Sequence, residues 1–397
     1  MKVISDADVR TILPRLSLSA LLYSQAVALS DVPLKKRKAS PTTASPDPIA
    51  QCPPRLSLTT PHHTQLFMPA RTASPGSVVK IVSVPLPTSS MSGIPGVNLL
   101  FDDATGKVSH VVNSTCLTAL RTATGSLLSS LLALGEPEAM EGVKHAVVFG
   151  DGLQAVYHAW LHLRYFHWIE TITVIVGSHR DLTDDEVKGK VERLESQLRD
   201  LCTASATSLR TVNVGCINAS DRTLVKEALG AAALVFTCTP STEPLFTIKE
   251  LGLRRGERKH ICAVGSYKPH MCELPPELIQ KAAKAGRLTV DSLDACKEEA
   301  GCLIKLHSPK EQKDIRKGCR TLGEDIYPPR PAHPTTDNDL RNRDSYVHQF
   351  PGWSMVHNLS RKGKVSVFKS VGVGLQDVEI TKLIVEFAEG VGVEVPF

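Results

Sequence analysis

The sequence predicts an α/β protein in which helices cover both faces of a parallel sheet, with a separate strand-rich region before it. Three observations lead to this fold class. Short apolar strands alternate with helical segments from about residue 145 onwards, which is typical of βαβ units. The strand HAVVFG runs directly into the tight turn Gly150-Asp151-Gly152 and then into a helix. Between residues 78 and 112, β-branched runs and a hairpin pattern indicate the strand-rich region.

Composition places the chain among ordinary globular proteins and excludes several functions. Its 397 residues are enough for two domains, and 42% of them are hydrophobic and 22% charged. A formal net charge of +5 and 5% aromatic residues are too little for a nucleic-acid-binding surface. No apolar run approaches the roughly 18 residues that span a bilayer. The first residues also lack the pattern of a signal peptide. We therefore expect neither a nucleic-acid nor a membrane partner.

The ten cysteines favour a reduced, cytoplasmic protein. No two of them form a Cys-x-x-Cys pair, so neither a zinc site nor a thioredoxin-like site is indicated. His158, His162 and His167 lie on or just after one helix, but no thiol or carboxylate stands out beside them. We therefore expect packing histidines and no metal.

The amino-terminal elements follow from local patterns. Leucine and isoleucine spacing predicts helix over residues 5–30, with Pro14 bending or splitting it. The Pro-, Ser- and Thr-rich stretch 31–54 predicts a flexible insertion. Its KKRK run (35–38) fits a solvated loop better than a nuclear-import signal, and both interpretations stay open. The next predicted elements are a strand over 78–86, a hairpin over 96–112 with its turn at 103–106, and a long helix over 115–134.

The rest of the chain alternates strand and helix until a tract rich in proline, histidine and charge begins. That tract, 308–363, predicts an inserted loop or lid. A strand over 365–371 and an amphipathic helix over 374–390 end the chain. The strands predicted before the tract are HAVVFG, TITVIVG, ALVFTCT, KHICAVG and RLTVDS, and the helices are LQAVYHAWLHLRYF, DDEVKGKVERLESQLRDL, TLVKEALGAA and PPELIQKAAKAG.

The Gly150-Asp151-Gly152 turn predicts a dinucleotide-binding site. A Gly-x-Gly pair alone is weak, but here a strand precedes it, a helix follows it, and the small Ala155 occupies the third position. The first amides of the helix can then bind a pyrophosphate. Asp151 is unusual beside a phosphate, but its side chain can point to solvent. The alternative is an ordinary βα turn that binds no cofactor.

The end of the next strand favours NADP(H) over NAD(H). An NAD site usually has an acidic residue there, about 20 residues past the glycines, to bind the ribose diol. This sequence has Ser178, His179 and Arg180 instead, with no carboxylate before Asp181. Because serine and arginine suit a 2′-phosphate, we assign Ser178 and Arg180 to the cofactor. The alternative for Arg180 is a solvated loop residue.

Eight segments, in their order and spacing, resemble the ornithine cyclodeaminase/mu-crystallin family. The resemblance runs from MKVISDADV to SVGVGLQDVEITKLI and so covers most of the chain, with 31–54 and 308–363 as insertions. The eight segments are PPR (53–55), FMPA (67–70), VVKIV (78–82), TALRTATGS (118–126), GDGLQA (150–155), TCTPSTEPLF (237–246), AVGSYKPHMCEL (263–274) and VFKSVGVGLQD (367–377).

The resemblance implies two domains and a homodimer. A Rossmann NAD(P)-binding domain is expected over 126–335. An α+β domain for substrate binding and dimerisation, built from both chain ends, is expected over 1–125 and 336–397. The implied partner is a small amino-acid or imino-acid substrate.

The resemblance also assigns roles to individual residues. Arg55, Lys80 and Arg121 correspond to the family's cations around the substrate carboxylate, with Arg121 also near the cofactor. Arginine can grip a carboxylate with two parallel hydrogen bonds, and a lysine is costly to bury without an anion. A solvent-reaching Lys80 and a surface Arg121 are the alternatives. The resemblance also implies that Val371 contacts the substrate. The implied cofactor contacts are Gly150, Gly152, Leu153, Gln154, Thr239, Val264, Gly265 and Ser370.

Two departures from the family pattern weigh against ornithine cyclodeamination. The cyclodeaminases carry a proton-transferring Asp where this sequence has Tyr267, and a phenol is a poor base at neutral pH. A threonine contact near GIPGV is replaced by Gly96. Mu-crystallin and its reductase-like relatives also lack that Asp, and the segment Ser266–Pro269 looks closer to theirs.

The resemblance therefore favours an NAD(P)H-dependent reductase of the C=N bond of a small cyclic ketimine or imino acid. Lys80 is the favoured proton donor, with Tyr267 and His270 as rivals. Two alternatives stay open. One is an NAD-dependent ornithine cyclodeaminase that forms proline and ammonia. The other is a non-catalytic protein that binds NADPH and a small ligand.

Overall fold

The computed structural model divides the described chain into two units. The terminal unit contains the described residues of Met1–Thr122 and those from Val373 onwards, and the central unit contains those from Ala123 to Gly372. The predicted domain limits and their roles stay predictions. The KKRK run, Ser178 and Arg180 lie outside the described residues. The structure describes residues 1–32, 50–86, 88–89, 93–134, 142–177, 182–207, 212–253, 257–305, 318–326 and 365–396.

The elements alternate much as the sequence predicts, with strands before residue 114 and βα units after residue 144. In chain order they are β1 (Lys2–Ile4), α1 (Asp6–Ile12), α2 (Leu18–Ser30), β2 (Leu56–Thr59), β3 (His63–Arg71), β4 (Ser77–Pro85), β5 (Gly96–Phe101), β6 (Val108–Asn113), α3 (Thr115–Leu134), β7 (His145–Phe149), α4 (Leu153–Tyr165), β8 (Thr171–Val176), α5 (Asp184–Ala204), β9 (Asn213–Asn218), α6 (Arg222–Ala231), β10 (Leu234–Thr237), β11 (Lys259–Ala263), α7 (Pro276–Lys284), β12 (Leu288–Val290), α8 (Leu293–Glu299), α9 (Gly301–Ile304), β13 (Cys319–Thr321), α10 (Leu322–Ile326), β14 (Val365–Lys369), α11 (Gly374–Glu386) and β15 (Val393–Glu394).

A seven-stranded sheet in the order β15-β1-β6-β5-β4-β3-β2 forms the terminal unit. Its neighbours are antiparallel, except that β1 and β6 are parallel. Along β4 every second residue is buried, because side chains of a strand alternate between its two faces. Lys80 shares the buried register with Val78, Val82 and Val84. The alternation therefore directs a cation into the interior.

The amino-terminal helical region is split, as Pro14 predicts. The helix α1 ends at Ile12, Leu13–Arg15 form a 3-10 turn, and α2 leaves at 109° to the first segment. Proline fits the first turn of a helix but breaks the interior, since it lacks the N–H donor.

All neighbouring strands of the eight-stranded sheet in the central unit are parallel, in the order β13-β12-β14-β11-β10-β7-β8-β9. The predicted α/β class is thus confirmed. From β7 the chain continues to β8 on one side, and β10 later pairs with β7 on the other. This reversal is the point at which open α/β sheets bind ligands, beyond the carboxyl ends of the strands.

Two edge strands of this sheet were not anticipated. The strand β9 lies at one edge, and its glycine and polar ends hide the β-branched pattern. At the other edge, β13 pairs with β12, although it falls inside the tract 308–363. Residues 318–326 thus belong to the sheet and a short helix and not to a loop. The rest of that tract lies outside the described residues, so a lid there stays a prediction.

One helix, α3, is long and apolar, although the sequence predicted no such segment. By length and composition α3 could cross a bilayer, as could the bent α1–α2 pair if it were one span. Serine, threonine and glycine interrupt the apolar residues of α3, which is why it was missed on inspection of the sequence. In the structure 94% of its apolar window is buried, as in the core helix of a folded domain.

The last helix is buried on nearly all sides and is not amphipathic, which corrects the prediction for 374–390. Nine of its residues between Gly374 and Ile384 are buried, including Gln376 and Asp377. It packs against α2 and across β3, β4 and β5 within the terminal unit. The polar residues that look like a solvent-facing side in sequence therefore face the interior.

Three buried histidines bond to serines of α3 in the central unit. Each imidazole is at most 2% exposed. Burial lowers the pKa of His158 to about 4 and that of His260 to about 3, so the rings are neutral near pH 7. The hydrogen bonds join His158 Nε2 to Ser126 Oγ (2.8 Å), His162 Nε2 to Ser130 Oγ (3.0 Å), and His260 Nε2 to Ser129 Oγ (3.1 Å).

We expect the three buried histidines His158, His162 and His260 to lower the stability of the folded protein as the pH falls below about 6.5. The unfolded chain takes up protons near pH 6.5, whereas the folded chain resists them until its lower pKa values are reached. The free energy of unfolding should therefore fall with decreasing pH, by up to about 1.4 kcal/mol per pH unit for each histidine. Urea unfolding between pH 7 and pH 4.5 measures this slope. His158→Gln should reduce the slope and the exposed His270→Gln should not; equal slopes in both variants would contradict this origin.

Candidate functional site

The Gly150-Asp151-Gly152 turn lies where the sequence predicts it, between β7 and α4. Gly150 has a φ of +107°, a left-handed conformation that favours glycine. A Cβ on Gly150 would also lie 3.1 Å from the carbonyl oxygen of Cys238, at the end of the neighbouring strand β10. Gly150 is therefore required by the turn itself.

Gly152 has a different role. Its φ of −87° suits any residue, and a Cβ there would meet nothing within 4 Å. No side chain caps the start of α4 at this position. Leu153 and Gln154 form the first turn of the helix, whose amides and dipole favour an anion. The open space at an uncapped helix start fits a pyrophosphate.

The Asp151 side chain is partly buried and paired with a cation, and does not simply extend into solvent. It forms an ion pair with Lys190 on α5, with 2.7 Å between Oδ2 and Nζ. Only 31% of the Asp151 side chain is exposed. The carboxylate next to the glycines thus has a cation of its own.

Two neighbouring strand ends, after β10 and β11, are tied together by Glu273. Its carboxylate is fully buried and accepts hydrogen bonds from the amides of Thr239 (2.9 Å), Gly265 (2.8 Å) and Ser266 (2.9 Å). A Cβ on Gly265 would lie 2.2 Å from the Thr239 carbonyl oxygen, so only glycine fits. Thr239, Val264 and Gly265, predicted as cofactor contacts, therefore lie together at the carboxyl edge of the sheet.

The end of β14 is tied in the same manner by Asp291, which follows β12. Asp291 Oδ2 accepts from Ser370 Oγ (2.7 Å), Val371 N (2.9 Å) and Gly372 N (2.7 Å). The backbone amide of Val371 is thus bonded within the protein, and its predicted contact with substrate is left to its side chain and carbonyl group.

In the terminal unit, Lys80 and Arg121 converge on one carboxylate. Lys80 Nζ lies 3.0 Å from Asp377 Oδ1, and Arg121 Nε lies 3.3 Å from the same oxygen. Lys80 is 2% exposed, Arg121 5% and Asp377 1%. The solvent-reaching alternatives for both cations are therefore wrong. Buried charges need such pairing, because an isolated ion in a protein interior costs several kcal/mol.

Gln376 completes this cluster. Its Oε1 accepts from Arg121 Nη1 at 2.8 Å, so adjacent residues at the start of α11 hold the guanidinium from two directions. Asp377 Oδ2 is buried and has no hydrogen-bond partner among the described residues. The cluster carries two cations against one carboxylate. An anionic ligand would balance that charge.

Burial tunes the acidity of Lys80. Desolvation lowers its pKa from the usual 10.5 to about 8, against the opposing effect of Asp377. The neighbouring Arg121 and Arg55 lower the pKa further. An ammonium with a pKa near 8 is charged at neutral pH and is close to the range in which proton donors work best.

The remaining candidates have less defined surroundings. Arg55 is partly exposed, immediately before β2. Tyr267 is partly buried, with Lys268 Nζ 5.9 Å from its ring centroid. His270 is exposed. Among the described residues no group of three His, Cys, Asp or Glu side chains could hold a metal ion.

Sequence inspection missed four buried ionic or amide residues that organise these sites. Asp377 and Gln376 lie in the quoted segment VFKSVGVGLQD, within the helix predicted to be amphipathic. Asp291 directly follows β12 in TVDS, whereas Glu273 lies in MCEL, ten residues after the end of β11. An acidic residue at the end of a predicted strand, Asp291, was the available signal, because strand ends of a parallel sheet meet at one edge.

No protein-family model matches the chain. Two curated relatives match it over most of its length. A Dictyostelium discoideum protein named as an uncharacterized cyclodeaminase is 26% identical over 300 residues, which are 73% of this chain and 69% of that protein. The Mus musculus ketimine reductase mu-crystallin is 26% identical over 286 residues, covering 72% and 67%.

A solved structure shares the fold over the whole chain. It is Thermococcus litoralis Delta(1)-pyrroline-2-carboxylate reductase in complex with NADH and L-proline, at a TM-score of 0.69 and 20% identity, with 100% of both chains covered. The resemblance drawn from the eight sequence segments is thus confirmed.

Proposed function

We propose that this chain, a relative of the ornithine cyclodeaminase/mu-crystallin proteins, is an NAD(P)H-dependent reductase. Its substrate is the C=N bond of a small cyclic ketimine or α-imino acid. The observation that carries the proposal is the buried Lys80–Asp377–Arg121 cluster, with its excess of one positive charge. A small carboxylate-bearing substrate supplies the missing anion, and its size suits side chains that are nearly closed to solvent.

The chain's own residues divide the work between binding and proton transfer. Arg121 and Arg55 hold the substrate carboxylate, since guanidinium groups match its two oxygens. Lys80 donates its proton to the imine nitrogen, leaving a neutral amine that Asp377 keeps in place. Tyr267 and His270 remain the rival proton donors. The bound cofactor supplies the hydride that reduces the carbon.

The cofactor residues of the proposal are those at the carboxyl edge of the central sheet. Gly150, Gly152, Leu153 and Gln154 bind the pyrophosphate, and Thr239, Val264, Gly265 and Ser370 bind the nicotinamide half. The open space at Gly152 and the absence of a side-chain cap support this fit. NADP(H) is preferred through Ser178 and Arg180. Tenfold tighter binding of NADH than of NADPH would contradict that preference.

A homodimer and a cytoplasmic location belong to the proposal. The edge strand β2 exposes Leu56 (68%) and Leu58 (59%), side chains that a second copy would cover. A monomer by light scattering at micromolar concentration would exclude the dimer. The ten cysteines form no disulfide bond among the described residues, which suits a reducing compartment.

One observation keeps the lyase alternative as a second candidate. Asp377 Oδ2 is a buried carboxylate oxygen with no hydrogen-bond partner among the described residues, so the cluster contains a carboxylate that could accept a proton, beside the proton donor Lys80. An ornithine cyclodeaminase needs such a group to move protons, and Tyr267 is a poor substitute.

The decisive experiment is a paired assay on the full chain. NADPH and NADH consumption is followed with a panel of cyclic imines, and ammonia release from ornithine is followed with NAD⁺. We expect net reductant loss with an imine and no ammonia. Ammonia and proline without net cofactor change would establish the lyase. Saturable NADPH binding without turnover in either assay would indicate a non-catalytic protein that binds NADPH.

A further inference from the structure

The end of β14 contains a hydroxyl group whose hydrogen-bonding role is fixed by the protein. Ser370 is 3% exposed, and its Oγ lies 2.7 Å from Asp291 Oδ2. The carboxylate can only accept, so the serine hydroxyl must donate its single proton to it. Toward any other group, Ser370 Oγ can then act only as an acceptor.

The surrounding contacts hold this arrangement rigidly. Asp291 Oδ2 also accepts from the amides of Val371 and Gly372, and Asp291 Oδ1 accepts from Ser292 N at 2.8 Å. The fully buried Lys369 donates to three carbonyl oxygens, those of Ala263 (3.1 Å), Ser266 (2.7 Å) and Ser370 (2.9 Å). With so many bonds, neither the backbone nor the carboxylate can turn freely.

The strand order indicates which part of a dinucleotide this acceptor would meet. The adenosine half extends toward β8, the strand after the glycine turn, which leaves the nicotinamide half toward β10, β11 and β14. Three strand-to-strand spacings separate β14 from β7 in the sheet, which is about 14 Å at the usual spacing. The nicotinamide carboxamide carries an N–H donor that needs an acceptor at that end.

We propose that Asp291 is a positioning residue that presents Ser370 Oγ as the acceptor for the carboxamide N–H of the nicotinamide ring. The proposal rests on the proposed function, because it needs a bound nicotinamide cofactor. It goes further in assigning a partner atom and a direction to one hydrogen bond. A reversed hydroxyl would place a donor against the carboxamide N–H and weaken binding.

The test compares NAD⁺ with acetylpyridine adenine dinucleotide, in which a methyl ketone replaces the carboxamide and no N–H remains. Dissociation constants for both are measured by calorimetry on the full chain. Wild type should prefer NAD⁺ by about tenfold, the value of one hydrogen bond. In both Ser370→Ala and Asp291→Ala, the ratio of the two dissociation constants should be close to one. Ser370→Thr keeps the hydroxyl and should restore the preference.

The control is Asp325→Ala, which removes another buried carboxylate of the central unit, paired with Arg320 at 3.4 Å. It should lower the melting temperature without changing the ratio of the two dissociation constants. An unchanged tenfold preference in Asp291→Ala would overturn the proposal. If Asp291→Ala does not fold, a tenfold preference for NAD⁺ that persists in Ser370→Ala would overturn the proposal equally. Wild type that binds neither dinucleotide, and no NADPH either, instead refutes the proposed function.

Discussion

Lys80→Met should lower kcat/KM for imine reduction by about a thousandfold, because the substitution removes the proposed proton donor while keeping the side-chain length. The fold should survive the change. Asp377 Oδ1 keeps Arg121 Nε at 3.3 Å, so the carboxylate retains one cation. Steady-state kinetics and thermal unfolding together measure the two effects. In wild type, kcat/KM should also decrease above about pH 8, where the lowered pKa deprotonates Lys80.

Lys382→Met is the matched control for this substitution. Lys382 is another lysine of the terminal unit, with 17% of its side chain exposed. It bonds to Thr72, Ser74 and Glu379 and has no place in the proposed chemistry. It should lower stability with little effect on kcat/KM. A Lys80→Met enzyme within tenfold of wild type would remove Lys80 as the donor and leave Tyr267 and His270.

Gly152→Val should weaken cofactor binding at least a hundredfold with almost no loss of stability. The backbone conformation of Gly152 suits any residue, and a Cβ there meets no protein atom within 4 Å. The space that the valine fills is the space a pyrophosphate needs, since the second glycine allows close approach of the backbone. Calorimetric titration with NADPH and NADH measures the loss, and urea unfolding measures the stability.

Gly215→Val provides the comparison within the same sheet. Gly215 lies on the edge strand β9, and a Cβ there also meets nothing within 4 Å. That variant should bind the cofactor as wild type does. Equal affinities in Gly152→Val and wild type would show that the turn is an ordinary βα connection.

Local patterns were sufficient for most of the fold. A β-branched run followed by Gly-x-Gly and a helix specifies a βα unit, and several such units specify a parallel sheet. The edge strand β13 escaped prediction because it is only three residues long and lies in a polar tract. The burial of α11 escaped because Gln376 and Asp377 look solvent-facing when the cations that bind them are far away in sequence.

The sequence by itself determined the α/β class and the glycine turn, and it favoured an interior position for Lys80. Alternation along β4 puts residue 80 in the same register as three valines. Only the tertiary structure decided what partners these groups have. Asp377 is 297 residues from Lys80, and Asp291 is 79 residues from Ser370. Such pairs are set by strand order and helix packing, which depend on long-range contacts that no local pattern of residues encodes.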